Sequence, residues 1–122
     1  MIFKIQCSLG EILDKITILE LKLHYCINKH QQYNIKKELK ELKHRLDISY
    51  LNDDLYKQLQ QTNSKLWNLE DQIRQKSKHK EYDEHYISYA EDIHKNNDLR
   101  AFIKKKINLK YNSNIIEEKI YN

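Results

Sequence analysis

The sequence predicts an all-α fold, an antiparallel bundle of four to five helices built from residues 1–122 as a single domain. Three observations point there. The chain has one glycine, Gly10, and no proline, whereas strand-rich folds need turn residues at short, regular intervals. Apolar residues recur at alternating spacings of three and four over long stretches, which is the period of a helix face. Charged residues make up 33% and hydrophobic ones 39%, a balance suited to amphipathic helices with solvated outer faces.

The stretch Asp53–Lys78 carries the clearest pattern. Leu55, Leu59, Thr62, Leu66, Leu69 and Ile73 form a core stripe with a near-heptad, coiled-coil-like repeat. Beside it runs a polar seam of Tyr56, Asn63, Trp67, Glu70 and Arg74. Upstream, Ser8 and Glu11 have the spacing of a capping box and open a first helix over Leu9–Asn28. Its core face holds Leu9, Ile12, Leu13, Ile16, Leu19, Leu23, Cys26 and Ile27, with Glu20 projecting among them. On its other side Ile18, Leu21 and Tyr25 surround Asp14, so this helix is either central in the domain or also in contact with another subunit.

Lys29–Tyr33 reads as a connection, and a second helix follows over Asn34–Leu46 with Ile35, Leu39, Leu42 and Leu46 inward. Asp47–Asn52 turns the chain, and Asn52 or Asp53 caps the third helix. After a polar loop at Lys76–Glu81, a fourth helix starts near Asp83 with Tyr82, Tyr86, Tyr89, Ala90 and Ile93 inward. Leu99, Phe102, Ile103 and Ile107 fall on a different face, so a break at Asn96–Asp98 and a fifth helix over Asp98–Tyr111 are expected. Ile2–Cys7 alternates like a short strand; the tail Asn114–Tyr121 is the candidate partner for a two-stranded ribbon joining the termini.

Composition narrows the function classes. No apolar run approaches the ~20 residues of a membrane-spanning helix, and MIFKIQCS lacks a secretory signal. A cytoplasmic protein without membrane attachment is expected. The formal charge of +4 is spread along the chain, and its densest run, Lys104–Lys106, reads as a solvated helix face. No basic strip with stacking aromatics stands out, which disfavours nucleic acid as a partner. Cys7 and Cys26 form no C-x-x-C and read as small buried apolar residues; the six histidines form no zinc motif.

The segments GEILDKITILELKL (Gly10–Leu23), NSKLWNLEDQIR (Asn63–Arg74), NDLRAFIKKKIN (Asn97–Asn108) and EEKIY (Glu117–Tyr121) together resemble a small uncharacterised bacterial and viral family, a domain of unknown function. The tail departs from it at Ile120, where the family carries a small residue. The resemblance implies an all-helical domain and a setting near glycosyltransferase and surface-polysaccharide genes. It supplies no catalytic residues.

The same segments hold the oddly placed polar groups, which are the candidate ligand-binding residues: Glu11, Asp14, Lys15 and Glu20; Asn63, Trp67, Glu70, Asp71 and Arg74; and Asn97, Asp98 and Arg100. A structural reading pairs Glu20, Glu70, Arg74 and Arg100 in a buried network, with Asn63 and Asn97 satisfying leftover groups. No catalytic set is complete. The leading function is therefore a non-enzymatic module that binds a protein partner or itself, a homodimer included, with no cofactor. The alternative is a Mg²⁺-dependent hydrolase or transferase acting on a nucleotide or nucleotide-sugar. There Glu11/Asp14 and the acids of the third helix would hold the metal, with Lys15 and Arg74 on phosphates. If Glu70 holds a buried partner, Glu70→Ala is expected to cost about 1–3 kcal/mol in a denaturant melt.

Overall fold

The computed structural model describes residues 1–120. Four α-helices succeed one another among them: α1 (Leu9–Tyr25), α2 (Lys29–His44), α3 (Asp54–Lys78) and α4 (Glu84–Lys110), with a 3-10 turn over Ile48–Asn52 ahead of α3. No described helix is long and apolar enough to cross a membrane.

Each helix begins where a side chain can accept from its first free N–H groups. Ser8 Oγ accepts from Glu11 N (3.1 Å), Asn28 Oδ1 from Gln31 N (3.0 Å), Asp53 Oδ1 from Leu55 N (2.8 Å) and Asp83 Oδ1 from Tyr86 N (3.0 Å). The Asn28 cap corrects two boundaries. It starts α2 at Lys29, so Lys29–Tyr33 is helix and not a connection. It also ends α1 at Tyr25, where Gln32 Nε2 donates to the Cys26 carbonyl (2.8 Å). Ile27 consequently lies in the short link and is exposed. Cys7 is exposed and Cys26 half-buried, both free, rather than two buried apolar residues.

α1 is central. It packs against α2, α3 and α4, which buries its main apolar face, while Tyr25 of the second face stays exposed. Leu13, Ile16 and Leu19 of α1 meet Leu39, Tyr56, Leu59, Ile103 and Ile107 in the buried core, with Ile35, Leu42, Leu46 and Leu55 packed around it. The stripe expected for α3 is inward: Leu59, Thr62, Leu66 and Leu69 are buried.

α4 runs unbroken through Asn96–Asp98, against the expected break and fifth helix. Its inward stripe is Tyr86, Ala90, Ile93, Asn96, Arg100, Ile103 and Ile107, one residue every three or four, all buried or half-buried. The middle members are polar. Asn96 does not cap a new helix; its Nδ2 donates to the Asp92 carbonyl one turn back (2.8 Å). Leu99 and Phe102, expected on the inward face of a fifth helix, are exposed.

The terminal ribbon is also absent: the described residues contain no strand, and Tyr121, its expected end, lies outside them. Phe3 and Ile5 are exposed. The tail instead lies along α4, held by Lys105–Glu118 (2.9 Å) and Lys119–Asp98 (2.9 Å). It also covers the start of α1: the Ser8 hydroxyl donates to Glu117 Oε1 (2.6 Å) and Leu9 N donates to Ser113 Oγ (3.2 Å). Only half of the capping box forms, because the Glu11 carboxylate is taken by Lys104 Nζ (2.5 Å).

Two contacts fix α4 in place. Gly10 touches the α4 backbone directly: a Cβ there would stand 2.6 Å from the Lys104 carbonyl oxygen and 3.0 Å from Asn108 Oδ1, and Gly10 N donates to that same Asn108 oxygen (2.7 Å). At the far end, Asp53 receives Lys110 Nζ (2.5 Å) and the Tyr111 hydroxyl. Burial pushes the Asp53 carboxyl up, but the hydrogen bonds from Lys110, Tyr111 and Leu55 N outweigh it and hold it at about 2.

Gly10→Ala is expected to destabilise by about 1–3 kcal/mol in a urea melt, since the helices must part to admit one methyl group. Because the Asp53 carboxyl is lowered on folding, its contribution is complete above about pH 4 and is lost as pH falls through about 2. Asp53→Asn should flatten the acid limb of a pH–stability curve.

Candidate functional site

Where α1, α3 and α4 meet, the side chain of Asp14 is 1% exposed. A carboxylate that far from water must be paired and hydrogen-bonded. Arg100 supplies both: Nε donates to Oδ1 (2.8 Å) and Nη2 to Oδ2 (2.5 Å), a two-pronged fit of planar groups. This bond, ahead of the opposing effect of burial, raises the guanidinium above its ordinary value. Asn63 Nδ2 donates to Asp14 Oδ1 (2.8 Å) and to Thr17 Oγ1 (2.6 Å), and the Thr17 hydroxyl donates to the Asp14 carbonyl (2.7 Å). Lys104 Nζ stands 3.9 Å from Asp14 Oδ2 while holding Glu11. Two acids and two bases thus balance across the α1–α4 contact, and the asparagine brings in α3.

On the outer side of this network lies a cleft of about 440 Å³. Asn63, Leu66, Trp67, Glu70, Asp71 and Arg74 line it from successive turns of α3, and Asn97 and Arg100 line it from α4. Ile18 and Leu21 of α1 complete it. Trp67 is half-buried and stacks with Tyr25 at 5.2 Å between centroids and 8° between planes. The ring is therefore backed by a second aromatic from α1.

Seven of the twelve candidate residues therefore share one cleft, with Asp14 directly behind it. The other four do not belong to it. Glu11 sits with Lys104. Lys15 pairs with Glu38 of α2 (3.0 Å). Asp98 faces the tail through Lys119. Glu20 is half-buried and takes Lys43 (3.2 Å), the Tyr56 hydroxyl (3.3 Å) and Gln60 Nε2 (3.3 Å). Burial, and then the Glu20 charge, raises the Tyr56 phenol.

The expected network is corrected in its membership. Arg100 and Asn63 are in it, but their carboxylate is Asp14, not Glu20 or Glu70. Glu70 makes a loose i,i+4 pair with Arg74 (3.9 Å); the Arg74 side chain is largely exposed and that of Glu70 about half exposed. Sequence reasoning did not single out Thr17 or Lys104. Thr17 stands one turn after Asp14 on the same face, which was a usable signal. Lys104 was masked by Lys105 and Lys106: its side chain is 17% exposed, while Lys105 pairs with Glu118 and Lys106 lies over the Phe102 ring (4.8 Å).

The sequence model of a family described as a family of unknown function, DUF6165, matches residues 3–122. The chain belongs to this family. No curated protein and no solved structure matches it. The match spans every element of the DUF6165 fold described here, from the capped start of α1 through α4 to the tail.

Arg100→Met is expected to destabilise by about 3–5 kcal/mol in a denaturant melt, because it leaves the Asp14 carboxylate buried without a counter-ion. Glu70→Ala is now expected to change stability by no more than about 0.5 kcal/mol in the same assay, in place of the larger cost that a buried partner would entail.

Proposed function

We propose that this DUF6165 chain is a non-enzymatic helical-bundle module that binds a protein partner, or a second copy of itself, through the cleft between α1, α3 and α4. The observation that carries the reading is the position of Trp67. It is the sole tryptophan of the chain, lines an open cleft and is held from behind by Tyr25. Tryptophan and arginine side chains in such settings dominate the energetics of protein interfaces. Two of the acids around it are already engaged, Asp14 with Arg100 and Glu70 with Arg74.

The second apolar face of α1 is only partly covered by the neighbouring helices: Ile18 and Leu21 line the cleft and Tyr25 is exposed, so this face supports docking of a partner or a second copy. The magnesium-dependent reading draws no support from the arrangement. Glu11, Asp14, Glu20 and Glu70 each go to a different basic partner. Among the described residues no group of three or more histidines, cysteines or acids could hold a metal. A place in the cytoplasm is consistent with the two free thiols, and a link to surface-polysaccharide or glycosyltransferase pathways rests on the family resemblance alone.

Trp67→Ala tests the reading. The wild-type protein should self-associate in sedimentation equilibrium or retain a partner on an affinity matrix. The variant should weaken that association about tenfold or more with unchanged helix content. A monomeric wild type that retains nothing, or a variant that binds equally well, would overturn it.

A further inference from the structure

We infer that the group this cleft receives is the cationic side chain of a lysine or arginine, presented by an extended basic segment of a partner protein and seated between Trp67 and Asp71. The inference rests on the docking function proposed above and specifies the chemistry of the occupant.

It follows from which groups the fold leaves over. Five charges surround the cleft: Asp14, Glu70 and Asp71 against Arg74 and Arg100. Arg100 is committed to Asp14 through two hydrogen bonds, and Arg74 is the near neighbour of Glu70. Asp71 remains. It lies one turn after Trp67 on α3, lines the same cleft, and makes no hydrogen bond or ion pair among the described residues. One negative charge is thus uncompensated beside the only indole.

The uncharged groups agree. Asn63 is 4% exposed; its Nδ2 is consumed by Asp14 and Thr17, and its Oδ1 accepts from no group among the described residues. An aromatic face, a carboxylate and an amide oxygen are all electron-rich, and together they suit an ammonium or guanidinium group. The apolar side chains of Ile18, Leu21 and Leu66 line the remainder and match the methylene stem of a lysine or arginine. The spare Nη1 of Arg100, which has no partner among the described residues, is a donor for a main-chain carbonyl of the incoming segment. A volume of about 440 Å³ admits side chains on an extended segment but not a folded element.

Trp67 emission reports directly on the site, because the chain has no other tryptophan. The test titrates the full chain with acetylated, amidated five-residue peptides whose central residue is arginine, lysine, leucine or glutamate, with guanidinium chloride at equal concentration as a further arm. The arginine and lysine peptides are expected to give a saturable change in emission. Asp71→Asn should weaken it about tenfold, whereas Glu91→Gln, an exposed acid elsewhere on α4, should leave it unchanged. Equal binding of the leucine or glutamate peptide, full response in Asp71→Asn, or no response to any peptide would overturn the inference. Full response to guanidinium chloride alone would overturn the peptide part of it. If Trp67→Ala abolishes partner binding while basic peptides give no signal, the docking function stands and this inference alone falls.

Discussion

The arrangement depends on one buried ion pair. Asp14 and Arg100 come from helices 86 positions apart in sequence, and their forked contact leaves α4 one rotational setting against α1. Turned by one residue, α4 would carry Arg100 away and leave the Asp14 carboxylate buried without its counter-ion, at a cost of several kcal/mol. Asn63 extends the same constraint to α3. Leucine-rich surfaces alone tolerate sliding, because apolar contacts have no direction; here the polar cluster supplies it. Gly10 acts in concert, since the network closes only if α1 approaches the α4 backbone at Lys104.

The network that sets the helices also shapes the cleft. Asn63 and Arg100 each present one edge to Asp14 and the other to the opening. Their rotamers are locked from behind, so a ligand would meet groups already in position, which limits the ordering cost of binding. Trp67 is treated similarly by Tyr25. Floor and wall of the cleft are therefore supported by α1, although most of its lining belongs to α3 and α4.

Much of this was legible in the residues. The leucine stripe of α3 and the seam from Asn63 to Arg74 act as their spacing suggests, Ser8 caps α1, and of Asn52 and Asp53 the aspartate caps α3. The errors share a cause. Period analysis counts apolar residues, so the stretch of α4 where Asn96 and Arg100 occupy the inward positions looked like a break, and Leu99 and Phe102 looked like core. The same bias set Asp14 aside as the polar spot in a minor patch and promoted Glu20, which sits among more leucines yet reaches Lys43 and water. Which carboxylate is buried depends on where the partner arginine arrives, and that is a property of the packing of three helices. No single helix carries it. The short helix-starting asparagine at position 28 was missed for a plainer reason: the polar stretch after it has no strong apolar period, and α2 contributes only Leu39 to the fully buried set.

The tail that crosses the start of α1 has a bearing on how the chain reaches this state. Ser8, Leu9, Gly10 and Glu11 all find side-chain partners between 93 and 109 positions downstream. During synthesis the first helix emerges early with its Ser8 cap, yet the partners of Leu9 N, Gly10 N and the Glu11 and Asp14 carboxylates must wait for the final fifth of the polypeptide. Closing such long loops is entropically costly, and helical bundles with mostly local contacts avoid it. This bundle should accordingly assemble late on the ribosome and more slowly than its helical content would suggest.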